Sequence, residues 1–270
     1  MKTVDKLSKY FDELKSDKVC IAFSGGVDSS LVLKMAILSK KEVMAVMFNT
    51  RLHPCREEQE ARKIASDMGI EITVINIDEF SNPDILKNPI DRCYICKKLL
   101  FSTLIELAQN NNCTVVLDGT NYDDYSQYRP GIKALKELGV KSPLAELKIT
   151  KNEVRETAKS IGLEVHNKPS APCMATRFPY NTEITFEDLS KVESAEEVIK
   201  DLGIVQCRVR VHNDIARVEI PEEEFEKFIL NKKTIIEKLK SIGYSYITLD
   251  IEGFRSGSMD INIDKNSVLS

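Results

Sequence analysis

No apolar run in this 270-residue sequence approaches the ~20 residues that a bilayer-spanning helix needs. Its first residues, MKTVDKLSKYFDELK, are amphipathic and contain acids, with no signal-peptide h-region and no small-residue cleavage site. A cytoplasmic protein without membrane association is expected. A basic excess is also missing. With 38 Lys and Arg against 42 Asp and Glu the net charge is −4, so no broad nucleic-acid surface is advertised. No nucleic-acid partner is expected, although a local basic groove is compatible with that charge. The seven cysteines are odd in number and do not read as a disulfide framework; metal, redox or nucleophilic use is expected. There is no Walker-type GxxxxGK loop, no second CxxC, no internal repeat and no low-complexity tract. What remains is ordinary globular composition, 42% apolar and 30% charged, long enough for one large domain or two modest ones.

The first half alternates strands and helices. Lys18–Phe23, Val43–Asn49, Ile70–Ile77 and Thr114–Asp118 read as short, almost wholly apolar strands. Ser29–Ser39, Pro54–Met68 and Ile90–Gln109 read as helices between them. Strands this apolar are covered on both faces, so the pattern predicts an α/β fold with a doubly wound parallel sheet. A further helix is expected over Lys151–Ile161, with Thr150 as N-cap and Gly162 as stop. His166–Thr185 carries three prolines and no period and reads as a long loop, a kind of segment that is often functional. Beyond it the order is αββαβ: Phe186–Leu202, Val205–His212, Ile215–Ile220, Pro221–Ile242 and Tyr244–Ile251, with Asn213-Asp214 as a hairpin turn. A small antiparallel sheet with helices on one face is expected there. The domains are then 1–165, a connecting active-site loop at 166–185, and a smaller C-terminal α/β domain at 186–270.

The first strand runs directly into Ser24-Gly25-Gly26-Val27-Asp28-Ser29, which opens an apolar helix. Two glycines let the backbone turn tightly and approach a ligand. The N–H groups at the helix start converge where the macrodipole favours an anion. Ser24 and Ser29 add hydroxyl donors, and Asp28 suits a divalent metal shared with phosphates. A plain strand–turn–helix junction is the alternative, but SGGxDS is much more specific than a bare pair of glycines. The segment resembles the pyrophosphate (PP) loop of the ATP-pyrophosphatase superfamily. That resemblance implies ATP and Mg2+ as ligands and a substrate oxygen that becomes adenylated. Asp118-Gly119-Thr120-Asn121-Tyr122-Asp123-Asp124 ends the fourth strand, where ligands of doubly wound sheets sit. Gly119 would allow close approach of a nucleotide, and Asp123 or Asp124 would assist the metal. A polar turn is the alternative for each of them.

Cys93 and Cys96 form a CxxC on a predicted helix, with both thiols on one face. Lys97 and Lys98 follow, and cationic neighbours favour thiolate. A redox pair, half a zinc site and part of an iron–sulfur site all remain open. Cys173 sits in the proline-rich loop, followed by Arg177. Cys93, Cys96 and Cys173 together could supply three thiolates to a four-iron, four-sulfur ([4Fe-4S]) cluster, leaving one iron open for an additional sulfide. Cys20 and Cys207 read as strand packing and Cys113 as a strand-edge residue. Cys55, after Pro54 at a helix start, is either an activated thiol or a bystander. On the predicted strand Val205–His212, Arg208 and Arg210 share a polar face with His212, which Arg217 joins. Arg forks suit bidentate phosphate or carboxylate binding. The alternative is a solvated sheet face with Arg217 and Glu219 in surface pairs worth ~0–1 kcal/mol.

Together SGGVDSS, DRCYICKKLLF, DGTNYDDYSQYRPG, KSPLAELKITKNEVR, NKPSAPCMATRFPYNTEIT, CRVRVHNDIARVEI and GFRSGSMD resemble the LarE family from about Val19 to Asp260. These are ATP-dependent pyridinium-3,5-biscarboxylic acid mononucleotide sulfurtransferases that serve nickel-pincer nucleotide biosynthesis and lactate racemase maturation. The resemblance implies that MgATP adenylates a substrate carboxylate and a sulfur nucleophile displaces AMP. It implies nucleotide contacts at Ser24, Gly25, Gly26, Asp28, Ser29, Gly119 and Asp124, and catalytic roles for Cys173 and Asp28. Members with one cysteine sacrifice the sulfur of the loop cysteine; this sequence resembles the three-cysteine, cluster-holding members. Arg177, Arg208 and Arg210 are the candidate substrate ligands, with Arg129 and Arg255 behind them. Glu193 or Glu197 would bind metal or lie on a solvated helix face. A homo-oligomer, dimer or hexamer, is implied. Asn181 and Thr176 stand where the family pattern suggests Gly and Ser. A tRNA thiolase, an ammonia-using synthetase and a nucleotide-sensing module are the competing readings.

Overall fold

The structure, a computed structural model, describes residues 2–53, 56–126, 129–168, 172–255 and 257–260. The chain divides into two compact units, Met1–Glu79 with Asp91–Ala171 and Phe80–Ile90 with Pro172–Ser270. Segment 80–90 therefore goes with the second unit, whereas the sequence reading kept it inside a first domain of 1–165.

In chain order the first unit holds α1 (Thr3–Glu13), β1 (Lys18–Ala22), α2 (Val27–Leu38), β2 (Glu42–Thr50), α3 (Arg56–Asp67) and β3 (Ile72–Ile77). The short α4 (Pro83–Leu86) lies in the second unit. The first then continues with α5 (Arg92–Asn110), β4 (Val116–Leu117), α6 (Gly131–Glu137), α7 (Pro143–Glu146) and α8 (Lys151–Ser160). Its four strands are all parallel, in the order β3-β2-β1-β4. Along β1 and the residue beyond it, Val19, Ile21 and Phe23 pack with Leu7, Phe11, Leu31, Met35 and Val154 on one face. Cys20 and Val46 join Leu100, Leu104 and Leu135 on the other. Alternation between two covered faces is what makes these strands read as unbroken apolar runs. The sheet is doubly wound, as expected. Because β1 lies between β2 and β4, the carboxyl ends of β1 and β4 flank the point where strand order reverses.

Thr150 caps α8 as predicted. Its hydroxyl accepts from Glu153 N while the Glu153 carboxylate takes Thr150 N, a reciprocal capping box.

The second unit contains α9 (Phe186–Asp201), β5 (Arg208–His212), β6 (Ile215–Glu219), α10 (Phe225–Leu230), α11 (Lys232–Ile242) and β7 (Tyr246–Leu249). Ile199, Val209, Val218, Phe228 and Leu239 form its core. The predicted hairpin is present: β5 and β6 are antiparallel, and Asn213 takes the left-handed φ of 57° at the turn. Two expectations fail. The sheet is mixed, because β7 pairs parallel to β6. The β6–β7 connection runs through two helices, and a crossover of that kind returns the chain in the same direction. The single helix expected over Pro221–Ile242 is broken at Asn231, whose Nδ2 donates to Lys227 O at 2.8 Å. An Asn side chain competing for a helical carbonyl in this way ends a helix.

Short 3-10 turns at Glu164–Asn167 and Met174–Arg177 shape the loop at 166–185. Asn181 has a φ of 60°, the left-handed region that Gly favours and Asn tolerates, which accounts for the Asn in place of Gly.

Leu31 and Leu239 are fully buried, one in each unit. Leu31→Ala and Leu239→Ala are each expected to cost about 2–5 kcal/mol in urea unfolding followed by circular dichroism. A change no larger than that of an exposed site would contradict the core assignment for that unit.

Candidate active site

At the end of β1 the chain turns through Ser24–Gly26 into α2. Gly25 has a φ of 68°, and a β-carbon there would lie 2.9 Å from Ala61 Cβ on α3. Both the conformation and the packing demand glycine. Gly26 is the N-cap of α2 and brings no side-chain acceptor, so the first-turn N–H groups are left to an anion. The hydroxyls of Ser24 and Ser29 face each other at 3.2 Å, and Ser29 Oγ also donates to Gly26 O at 3.2 Å. This donor set fits a polyphosphate. Gly119 follows β4, and a β-carbon on it would lie 2.8 Å from Ser29 N. The close approach that Gly119 permits here is that of the α2 backbone.

The acidic residues divide their work. Asp28 accepts from Lys151 Nζ and, at 3.3 Å, from Asn121 Nδ2. Asp123 accepts from the backbone N of Lys151 at 2.8 Å. Asp124 accepts from Asn121 N at 3.0 Å and pairs with Arg129 at 3.1 Å. Asp123 and Asp124 thus hold the backbone around α8 and the turn after β4, and Asp28 is the carboxylate at the start of α2. Lys168 Nζ reaches Gly25 O at 3.4 Å and Glu60 at 2.8 Å. Neither Lys151 nor Lys168 was singled out from the sequence. The legible hint for Lys151 was its place directly after the Thr150 cap.

Cys93 and Cys96 sit half-buried on the first two turns of α5, on one face. Arg92 Nη2 lies 3.6 Å from Cys93 Sγ. The two neighbouring lysines part company. Lys97 Nζ lies 4.0 Å from Asp118 at the end of β4, whereas Lys98 pairs with Glu137 at 2.8 Å and Tyr94 at 2.9 Å. Gly131 packs on this turn; a β-carbon there would lie 2.7 Å from Lys97 Cδ. Burial, then the neighbouring Cys113, pushes the Cys20 thiol up to about 12. Burial likewise raises Cys113, and burial then Glu196 raises Cys207 to about 12. These three are packing thiols. Cys55 lies outside the described residues.

Cys173 belongs to the second unit, half-buried before the turn Met174–Arg177. Its carbonyl accepts from Thr176 N at 3.0 Å, Thr176 Oγ1 at 2.8 Å and Arg177 Nη1 at 3.5 Å. Two thiols one helical turn apart on one helix face are a donor pair whose chemistry suits a soft metal or a cluster. Among the described residues no group of three or more His, Cys, Asp or Glu side chains is gathered around one metal position.

The polar face of β5 and β6 is covered at its centre, with Arg210 and Glu219 buried and Arg208, His212 and Arg217 half-buried around them. Arg210 and Glu219 are 5% and 0% exposed. The Arg210 fork holds Glu219 at 2.9 and 3.1 Å, and its Nη1 donates to Thr176 O at 2.7 Å. Ser258 Oγ donates to Glu219, and Arg217 bridges Glu219 at 3.2 Å and Asp250. Residues 176 and 257–260 cover this face, and that coverage turns the expected surface pairs into an internal network. Arg177 is likewise committed: Nε and Nη2 grip Glu196 at 2.8 and 3.0 Å, and Nη1 reaches Pro172 O at 3.1 Å. Glu193 and Glu197 are only half-buried; the inward acid of α9 is Glu196, on the helix face of Val192 and Ile199. A charge on that apolar stripe was the signal available in the sequence. Arg208 lies over the Phe254 ring at 5.0 Å, and burial, then the Arg177 charge, lowers its pKa to about 10. Arg255 pairs with Asp250 at 3.3 Å and Glu252 at 2.7 Å.

The sequence profile of the NAD synthase family matches residues 1–86. A Synechocystis sp. protein of unassigned function is 41% identical over 261 residues, 95% of this chain and 96% of its own. Pyridinium-3,5-bisthiocarboxylic acid mononucleotide synthase of Lactiplantibacillus plantarum is 40% identical over 250 residues, 92% of this chain and 91% of its own. A Methanocaldococcus jannaschii protein of unassigned function is 36% identical over 245 residues, 91% of this chain and 94% of its own.

Burial opposes the Glu196 carboxylate, but the Arg177 hydrogen bonds and charge outweigh it and hold its pKa below the ordinary 4.5. A lowered carboxyl pKa contributes stability that is present above the unfolded value and is lost as pH falls through the folded one. Glu196→Gln, which leaves Arg177 without its counter-charge, is expected to cost about 3–5 kcal/mol at pH 7. It should also flatten the acid loss of stability below 4.5, as read by urea unfolding over a pH series. An unchanged pH profile would contradict the pairing.

Proposed function

The chain belongs to the LarE family of PP-loop enzymes, and on that premise we propose that it converts a carboxylate of pyridinium-3,5-biscarboxylic acid mononucleotide to a thiocarboxylate at the expense of ATP. The observation that carries this reading is the uncapped first turn of α2 behind Ser24–Gly26, with the Asp28 carboxylate inside it. The name of the Lactiplantibacillus relative supports the substrate.

In this reading the first-turn N–H groups of α2 receive the phosphates, and Asp28 carries the Mg2+ that they share. A substrate carboxylate oxygen attacks the α-phosphorus, pyrophosphate leaves, and the acyl carbon is then open to sulfur, with AMP departing. A carboxylate oxygen is a poor leaving group until AMP is attached. Cys93, Cys96 and Cys173 would hold a [4Fe-4S] cluster, which when bound supplies an additional sulfide as the sulfur nucleophile. Arg208 is the candidate anion ligand: it is half-buried, and burial, then the Arg177 charge and more weakly that of Arg210, lowers its pKa, which an anion beside it would relieve. Arg177 and Arg210, held by Glu196 and Glu219, keep the Cys173 turn and β5 in register around it.

The test is one anaerobic reaction of iron-loaded protein with MgATP and the biscarboxylate nucleotide, followed by mass spectra of product and protein. Thiocarboxylate with unchanged protein mass is the expected result. Thiocarboxylate with loss of hydrogen sulfide from Cys173 would replace the cluster with a sacrificial cysteine. Absence of thiocarboxylate, with pyrophosphate released only when tRNA is added, would overturn the substrate and favour a tRNA thiolase. In the same assay Arg208→Ala is expected to raise the KM for the nucleotide substrate about tenfold or more, the loss of one charge-assisted contact.

A further inference from the structure

Lys151 occupies the first position of α8, with its main chain fixed twice over. Its backbone N donates to Asp123 Oδ2 at 2.8 Å, and the residue before it is locked in the Thr150–Glu153 capping box. Only the side chain is left to move. Its ammonium sits on Asp28 Oδ2, while the other carboxylate oxygen takes Asn121 Nδ2 at 3.3 Å. The pair is part-exposed, 30% for Lys151 and 20% for Asp28. The first turn of a helix disfavours a cation, so the carboxylate and not α8 holds the ammonium there. Asp28 itself lies in the first turn of α2, beside N–H groups that no side chain caps. A flexible point charge therefore rests on the carboxylate that a divalent cation would use, within an anion cradle.

We propose that Lys151 is an exchangeable internal counter-ion of the PP loop. It neutralises Asp28 when no nucleotide is bound, and it moves to the phosphate oxygens when the divalent cation takes Asp28. The proposal rests on the reading of Ser24–Ser29 as an ATP site. It gives Lys151 two opposed effects. It competes with a metal ion that arrives alone, and it assists a metal ion that arrives with polyphosphate. Among the described residues Lys168 is tied to Gly25 O and Glu60 rather than to Asp28.

The experiment measures binding by the full-length protein without turnover. Mn2+ alone is titrated by electron paramagnetic resonance, and ATP with Mg2+ is titrated by calorimetry, for wild type, Lys151→Met and Lys151→Arg. Thermal melting without ligands confirms that each variant is folded. Lys151→Met is expected to bind Mn2+ alone more tightly than wild type and MgATP about tenfold or more weakly, the scale of a lost charge-assisted hydrogen bond. Lys151→Arg, which keeps the charge, is expected to lie between the two for both ligands. Weakening of both ligands would mean that Lys151 only shapes the loop, and no change in either would mean that it is a bystander; each result overturns the proposal. Wild type that binds no MgATP would sink the ATP-site reading itself, whereas wild-type binding with an unaffected Lys151→Met sinks only the role of Lys151.

Discussion

The start of α2 is approached by two other backbones at distances that exclude a side chain. A β-carbon on Gly25 would meet Ala61 of α3 at 2.9 Å, and one on Gly119 would meet Ser29 N at 2.8 Å. These two contacts fix where α3 stands against the loop after β1 and where the end of β4 stands against the first turn of α2. Everything else at this site hangs from that placement. Asn121 reaches Asp28 because it is two residues beyond Gly119, and Lys151 reaches Asp28 because its backbone is tied to Asp123 of the same turn. The geometry that serves an anion is therefore set by missing side chains, and the charges are arranged around it afterwards.

The second unit solves a different problem. It buries guanidinium groups, which is costly unless each is paired and hydrogen-bonded. Arg177 and Arg210 meet this condition by forking onto Glu196 and Glu219, and both also donate to main-chain carbonyls of the Cys173 turn or its neighbours. The ion pairs specify a position more than they add stability: they bind the turn after Cys173 to α9 and to β5. Burial, then the Arg177 charge, lowers the pKa of Arg208 beside these pairs, which is the ground for assigning it the substrate anion in the proposed function.

Adenylating chemistry of the proposed kind needs a polyphosphate cradle, a metal carboxylate, a sulfur source and cations for an acidic substrate. The first unit carries the cradle, Asp28 and the CxxC of α5; the second carries Cys173 and the arginines. Cys20, Cys113 and Cys207 are packed into the cores of the two units, and burial raises their thiol pKa values.

The sequence alone determined the parallel sheet, the SGGxDS loop, the Thr150 cap and the paired cysteines of α5. Each is local: a two-residue or 3.6-residue period, or a motif within a few positions, records which face is buried and where a helix begins. Only the tertiary structure decided that β7 runs parallel to β6, that Glu196 rather than Glu193 or Glu197 faces inward, and that the β5–β6 face is covered. It alone decided that Lys151 pairs with Asp28 across 123 positions and Arg177 with Glu196 across 19. A charge leaves no periodic trace of its partner, because the partner is chosen by which elements the fold brings within a few ångströms. Local pattern therefore tells where a side chain is buried, and three-dimensional packing tells what it is buried against.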